Sequence, residues 1–317
     1  MQRKFLGLTL SALVSIAALT GCSPTSPQAH AEPRISGTIA SHVPAGMHVA
    51  NSTSSLTTSA SAAFDCSRQN PFSTSYMKTW MQQNRAKKFQ AYAIDLIHQC
   101  KYQYGTSSSI QYRSASTSKF LVAVAVFSKI DRKKLSYKSV KYDLDSMITQ
   151  SDNDATIRLI RRIGGLRTIT TTARQLGLTH TQGHKSFGTT LTNAQDQALA
   201  LKRVFVDTPQ FLSSTSTKRL KALMTHVSPT QRWGAGSVRV PAGWHVGVKN
   251  GWYHTVAGDE PPVNRSRVNT IGIVWNATYR PQWIFCGFAN DWKTDEQGKK
   301  AWDVLAIHVG KTFLISN

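Results

Sequence analysis

The sequence predicts an α/β chain of the layered α+β kind, an antiparallel sheet flanked by helices with an all-α region inserted in its middle. Three observations carry this. Strand-type runs stand near the start of the folded region and again near its end. Helical periodicity fills the stretch between them, and the chain closes on a further apolar helix. Sheet segments far apart in sequence with helices between them are expected to form layers around a shared core.

The first 22 residues read as an export signal. Arg3 and Lys4 form its positive end, and Phe5 through Leu19 is apolar but too short to span a bilayer comfortably. The run closes on Leu19-Thr20-Gly21-Cys22, which resembles the lipobox of bacterial lipoproteins. That resemblance implies cleavage before Cys22, a lipid on its thiol, and a chain anchored on the extracytoplasmic face of the cell membrane. Residues 23–64 are rich in Ser, Thr, Ala and Pro and poor in large apolar residues. Such a segment buries too little surface to offset its conformational entropy, so it reads as a flexible tether. The folded region is expected from residue 65 to residue 317.

Within it, Ser75 to Arg85 is the first expected helix, capped by Ser73 or Thr74. Phe89 to Ile97 and Lys101 to Tyr104 read as strands, with Gly105, Thr106 and three serines as the exit turn. Phe120 to Phe127 is a continuous apolar run, expected as a buried helix whose first turn holds Ser116-Thr117-Ser118-Lys119. Helical flanks at Leu144–Thr149 and Asp154–Ile160 enclose Ser151-Asp152-Asn153, and Gly164-Gly165 stops the second flank. Further helices are expected at Leu166–Leu176, at Asn193–Phe205 with Thr192 as cap, and at Thr215–His226. Together they make a helical subdomain of about residues 130–244. His245–Lys249 alternates like a strand, Val268–Trp275 and Gln282–Phe288 follow as two more, and Glu296–Phe313 forms the closing helix.

The formal net charge is +22, from 38 basic and 16 acidic residues. An excess of that size predicts attraction to polyanions. After an export signal, an envelope polyanion or anionic lipid fits better than nucleic acid. A solvated basic surface with no partner explains the same excess. Four cysteines are present. With Cys22 lipidated, Cys66 and Cys100 are a candidate disulfide in an exported chain, and Cys286 in its apolar run reads as a buried free thiol. No Cys-x-x-Cys and no histidine spacing points to a metal, and no cofactor is expected.

The chemistry is expected at Ser116. Three residues apart on a helix place Ser116 and Lys119 on one face. Unpaired N–H groups at a helix start favour the oxyanion formed when a serine attacks a carbonyl. A lysine in an apolar pocket loses stability as a cation and can accept the serine proton. Ser75-Tyr76-Met77-Lys78 has the same spacing but opens no such apolar helix.

Ser116-x-x-Lys119, Ser151-Asp152-Asn153 and Lys249-Asn250-Gly251 follow one another in this order. The set resembles the penicillin-recognising serine enzymes, and most closely the class A β-lactamase-like serine hydrolases. Met147 to Asn153 is its most specific stretch. Gln231-Arg232-Trp233-Gly234 and Lys249-Asn250-Gly251-Trp252 resemble exported actinobacterial members of that group. The resemblance covers roughly Phe89 to the C-terminus and implies a β-lactamase/DD-peptidase-like fold. It implies a β-lactam or a peptidoglycan stem peptide as substrate. It further implies Ser116 as nucleophile, Lys119 as base, Ser151 as proton relay to the leaving nitrogen, and Lys249 as the positive charge facing a substrate carboxylate. Asn153 would bind the substrate's amide, and the N–H groups of Ser116 and Trp252 would form the oxyanion hole. Gly251 and Asn250 belong to the same substrate-binding strand.

Three departures accompany it. Asn250 stands where the family has a hydroxyl residue, although its amide could still donate. The gap between Ser116 and Ser151 is short for a class A enzyme. No glutamate occurs from Asp154 through Thr192, so the carboxylate that activates water for deacylation is missing from its usual place. The corresponding stretch, about Gly177–Leu191, offers His180, His184 and Ser186; either histidine could act as a base, and the three otherwise read as ordinary loop residues. Acylation therefore has its parts, and deacylation is expected to be weak. A non-catalytic, cell-wall-binding descendant on the same fold is the other reading.

Overall fold

A computed structural model describes residues 64–256 and 263–315. The export signal, Cys22 and nearly all of the tether lie outside the described residues.

Five antiparallel strands form the main sheet in the order β2-β1-β7-β6-β5. They are β1 (Phe89–Asp95), β2 (Cys100–Gly105), β5 (His245–His254), β6 (Ser266–Trp275) and β7 (Pro281–Ala289). Two shorter strands, β3 (Tyr112–Arg113) and β4 (Leu191–Thr192), pair separately. The sheet joins both ends of the folded chain, since β1 pairs with β7 through Phe89↔Ala289 and Asp95↔Trp283.

The pleat splits each central strand between two cores. Phe89, Ala91 and Ala93 face one core, with Trp80 of α1 (Thr74–Asn84) and Trp302, Leu305 and Val309 of α8 (Asp295–Ile315). Tyr92 and Ile94 face the other, with α2 (Lys119–Asp131), α6 (Ala194–Phe205) and the remaining helices. α2 is buried at every position from Lys119 to Phe127, as its unbroken apolar run requires. α3 (Lys141–Thr149), α4 (Asn153–Ile163) and α5 (Arg167–Gln175) precede α6, and α7 (Ser214–Thr225) follows it. The antiparallel sheet flanked by helices is thus the architecture expected from the sequence.

Local chemistry sets the ends of these elements. Asp152 caps α4 by accepting from the N–H groups of Asp154 and Ala155, and Gly164 ends that helix in the left-handed region. Ser213 caps α7. The cap of α6 is Asn193, not Thr192: the Asn193 side chain accepts from Asp196 N, while Thr192 belongs to β4. The β3–β4 pair has too few residues to leave a periodic signal, and the sequence reading misses it. β5 continues beyond the alternating run His245–Lys249 through Asn250, Gly251 and Trp252 to His254.

Cys66 and Cys100 form a disulfide that ties the segment before α1 to β2. Cys286 is a free thiol buried in β7, and burial pushes its pKa up.

Candidate active site

Ser116 does not lie in α2 itself. It sits in a 3-10 turn, Ala115–Ser118, and Lys119 is the first residue of the α-helix. The tighter turn eclipses side chains at i and i+3, so the spacing still aligns Ser116 with Lys119. Ala115 has φ +49°, a left-handed conformation that a residue with a Cβ rarely adopts. The loop that leads into β4 holds this turn in place. Ser114 N and Ala115 N donate to Thr190 O and Gly188 O, both at 2.9 Å.

β5 closes on the turn from the other side. A Cβ built on Gly251 would lie 2.4 Å from Ser116 N and 2.6 Å from Thr117 N. Only a glycine permits that approach. The third segment enters at Ser151, whose φ of +61° turns the chain sharply between α3 and α4.

Two buried amines meet at this turn. Lys119 Nζ donates to Ser151 O at 2.5 Å, to Ser151 Oγ at 3.2 Å and to Asn153 Oδ1 at 2.8 Å. Lys249 Nζ lies 3.0 Å from Ser151 Oγ and donates to Asn250 O at 2.9 Å. Lys119 and Lys249 are 0% and 1% exposed. Burial brings the Lys119 pKa down to about 7, the nearby Asp152 carboxylate opposing it. Lys249 is held well below the ordinary lysine value by burial and then by the charge of Lys119.

The three separated segments therefore converge. Ser116, Asn153, Trp252 and Tyr253 line one cleft of about 230 Å³ together with Ala115 and Ser186–Thr189. None of these lining residues is acidic. The wall opposite β5 is the loop carrying Phe187, whose ring centroid lies 5.1 Å from Lys119 Nζ. The sequence gives no signal that Phe187, in a loop, or Tyr253, late in β5, would reach the cleft. His180 lies apart from it, with its Nδ1 2.9 Å from Thr179 Oγ1 and its N–H donating to Asp196. Among the described residues, no group of three His, Cys, Asp or Glu side chains is placed to hold a metal ion.

Asn250 departs from its expected part. Its Nδ2 donates to both Gln231 O and Trp233 O at 2.8 Å. Both amide hydrogens are taken, so the side chain offers no donor to a substrate carboxylate. The alternation of β5 explains this: Lys249 and Gly251 face the nucleophile turn, while Asn250 and Trp252 point to the other face. There Trp252 packs edge-on to Trp233, and Lys299 Nζ lies 4.7 Å from its ring.

Sheet, helices and this three-segment site define a β-lactamase-fold hydrolase. The beta-lactamase enzyme family model matches residues 139–306, just over half of the chain, and the chain belongs to that family. Solved structures agree on the fold. A class A β-lactamase from Bacteroides cellulosilyticus superposes with a TM-score of 0.63 at 17% identity, over 78% of this chain and 99% of that one. TLA-3 extended-spectrum β-lactamase gives 0.64 at 17%, over 78% and 98%. A β-lactamase from Burkholderia vietnamiensis gives 0.62 at 17%, over 75% and 94%. Comparison with curated protein sequences gives no match.

Proposed function

We propose that this chain is a lipid-anchored serine hydrolase that forms an acyl-enzyme on β-lactams or related D-amino-acid amides and releases it slowly. The observation that carries the reading is the pair of buried amines on Ser151 Oγ, at the foot of the cleft that Ser116 lines. An amine with a pKa near 7 is half neutral at neutral pH and can take a hydroxyl proton. In this scheme Ser116 Oγ attacks the carbonyl as its proton passes to Lys119 Nζ. The oxyanion is held by the N–H groups of Ser116 and Trp252. Ser151 passes a proton to the leaving nitrogen, and the C–N bond breaks to leave the ester. Lys249, once it takes up a proton, supplies positive potential for a substrate carboxylate without help from Asn250, and Asn153 faces the substrate amide.

Deacylation needs a positioned base to activate water. The wall that faces Lys119 offers the ring of Phe187 and no carboxylate, which supports slow release. A fluorescent penicillin tests acylation: a persistent covalent label on the wild type, lost in Ser116→Ala, is expected. An unlabelled wild type would overturn the enzyme reading in favour of a non-catalytic wall-binding protein, which the net charge of +22 would suit. Nitrocefin turnover at ordinary β-lactamase rates would overturn the slow-release half. The anchor is checked separately by the mass of the mature N-terminus at Cys22.

A further inference from the structure

Every residue of β6 is buried, and Asn269 within it is 0% exposed. A buried amide is costly unless its polar atoms are paired. Here they are paired to two distant segments. Asn269 Nδ2 donates to Arg113 O at 2.8 Å, and Asn269 Oδ1 accepts from Ala289 N at 3.1 Å. A backbone N–H can only donate and a carbonyl can only accept, so the amide has one orientation. The β6–β7 ladder begins at Thr270↔Gly287, so the Ala289 bond lies beyond it and extends the grip of β6 on β7.

The Arg113 bond lies at the nucleophile turn. Arg113 ends β3, and Ser114, Ala115 and Ser116 follow it directly. Asn269 pairs with Gly251 across the β5–β6 ladder, so the two residues share one face of the sheet. On that face Gly251 sets a stop: a Cβ there would lie 3.0 Å from Ser114 O and 2.4 Å from Ser116 N. Asn269 beside it supplies a tie. One residue limits how near the turn can come, and its cross-strand neighbour keeps it from moving away. Arg113 also reaches the opposite wall of the cleft, since its Nη1 donates to Thr189 O at 2.9 Å.

An oxyanion hole built from Ser116 N and Trp252 N draws its donors from separate pieces, the turn and β5. Their spacing depends on how the turn seats on the sheet. Donors must stand about 2.7–3.1 Å from the oxyanion, and a misplacement of about 1 Å costs roughly a hundredfold in rate. We propose that Asn269 is a positioning residue of this hydrolase: it fixes the seat of the nucleophile turn and thereby the gap between the two oxyanion donors. This role rests on the acyl-enzyme reading. Asn269 is fully buried and touches no substrate, so its effect falls on the acylation step and not on binding.

The test uses the full-length chain. Asn269→Leu has a similar size and makes neither bond, while Asn269→Ser stays polar but is one bond too short to reach Arg113 O. If Asn269→Leu does not fold, Asn269→Ser carries the same test. Asp131→Ala is the control. It removes the acceptor for Ser213 N, Ser213 Oγ and Ser216 Oγ at the other end of α2, about 18 Å from Lys119. Labelling is followed over a range of fluorescent-penicillin concentrations. Both Asn269 variants should lower the limiting acylation rate by about tenfold or more, with the half-saturating concentration within about twofold of wild type. Asp131→Ala should keep both values within about twofold. Amide hydrogen exchange gives a readout that needs no turnover. The peptide covering residues 113–118 should exchange faster by about tenfold or more in both Asn269 variants, and at the wild-type rate in Asp131→Ala. A limiting rate within about twofold of wild type would overturn the role, as would a change confined to the half-saturating concentration or an equal slowing by Asp131→Ala. A wild type that takes no label overturns the hydrolase reading instead. Exchange alone then decides whether Asn269 holds the turn, and unchanged protection at 113–118 would end that claim too.

Discussion

The two walls of the Ser116 cleft are built on opposite chemistry. On one side stand β5 and the head of α2, with two amines buried against a serine hydroxyl. On the other stands the loop from Ser186 to Thr189, with a phenyl ring and no carboxylate. In the proposed reaction the first wall would make the ester, and the second offers no carboxylate to help break it. The two proposed steps thus hang on different elements, so each can be altered without the other.

The largest expected effect falls on the first wall. Ser116→Ala should abolish covalent labelling by a fluorescent penicillin, read on a denaturing gel. Lys119→Met should slow labelling by about three orders of magnitude or more, because it removes the proton acceptor. The same variant relieves the desolvation of a buried amine but leaves Ser151 O and Asn153 Oδ1 without their donor, so the two effects offset and stability to urea should change by less than about 2 kcal/mol.

Gly251→Ala comes next. The new methyl would meet backbone atoms that cannot turn aside, so a loss of about 2–4 kcal/mol in a urea melt is expected, with labelling slowed as the turn shifts. Phe187→Glu addresses the second wall directly. A carboxylate beside Lys119 and Ser116 should shorten the life of the acyl-enzyme, seen as faster loss of label after a chase. Unchanged decay would mean that the loop is not what limits release.

The smallest effect is on pH. Lys119 titrates at about 7 when folded and at 10.5 in the ordinary reference state. Labelling should rise through pH 7 as the neutral amine accumulates, then level off. Stability has its own sign. Between pH 7 and 10.5 the unfolded chain holds a proton on this lysine that the folded chain lacks. This group therefore makes stability increase with pH across that window and contributes a constant penalty below it. Urea melts at pH 6, 8 and 9.5, compared between wild type and Lys119→Met, isolate the contribution.

The sheet and most helices were legible in the sequence because their signals are long. The apolar run 120–127, the alternation at 245–249 and the Gly164 stop each fix an element by local physics. The three-piece site was legible as order along the chain, and its closure depends on the Gly251 approach to Ser116. Asn250 was misread because its role is set by the carbonyls of Gln231 and Trp233, which only the folded chain brings near. Phe187 was invisible for a related reason: a lone phenylalanine in a polar loop carries no periodicity, and a two-residue strand pair decides where that loop lies. The turn beginning at Ala115 was expected as α-helix, since sequence periodicity does not separate a single 3-10 turn from the first turn of a helix.

The abutment of Gly251 on the Ser116 backbone bears on inheritance as well as chemistry. Because backbone atoms, and no ligand, forbid a side chain there, selection for folding alone should keep residue 251 as glycine. Copies of this gene that have lost the serine would still be expected to retain it, a relic of the catalyst preserved by geometry.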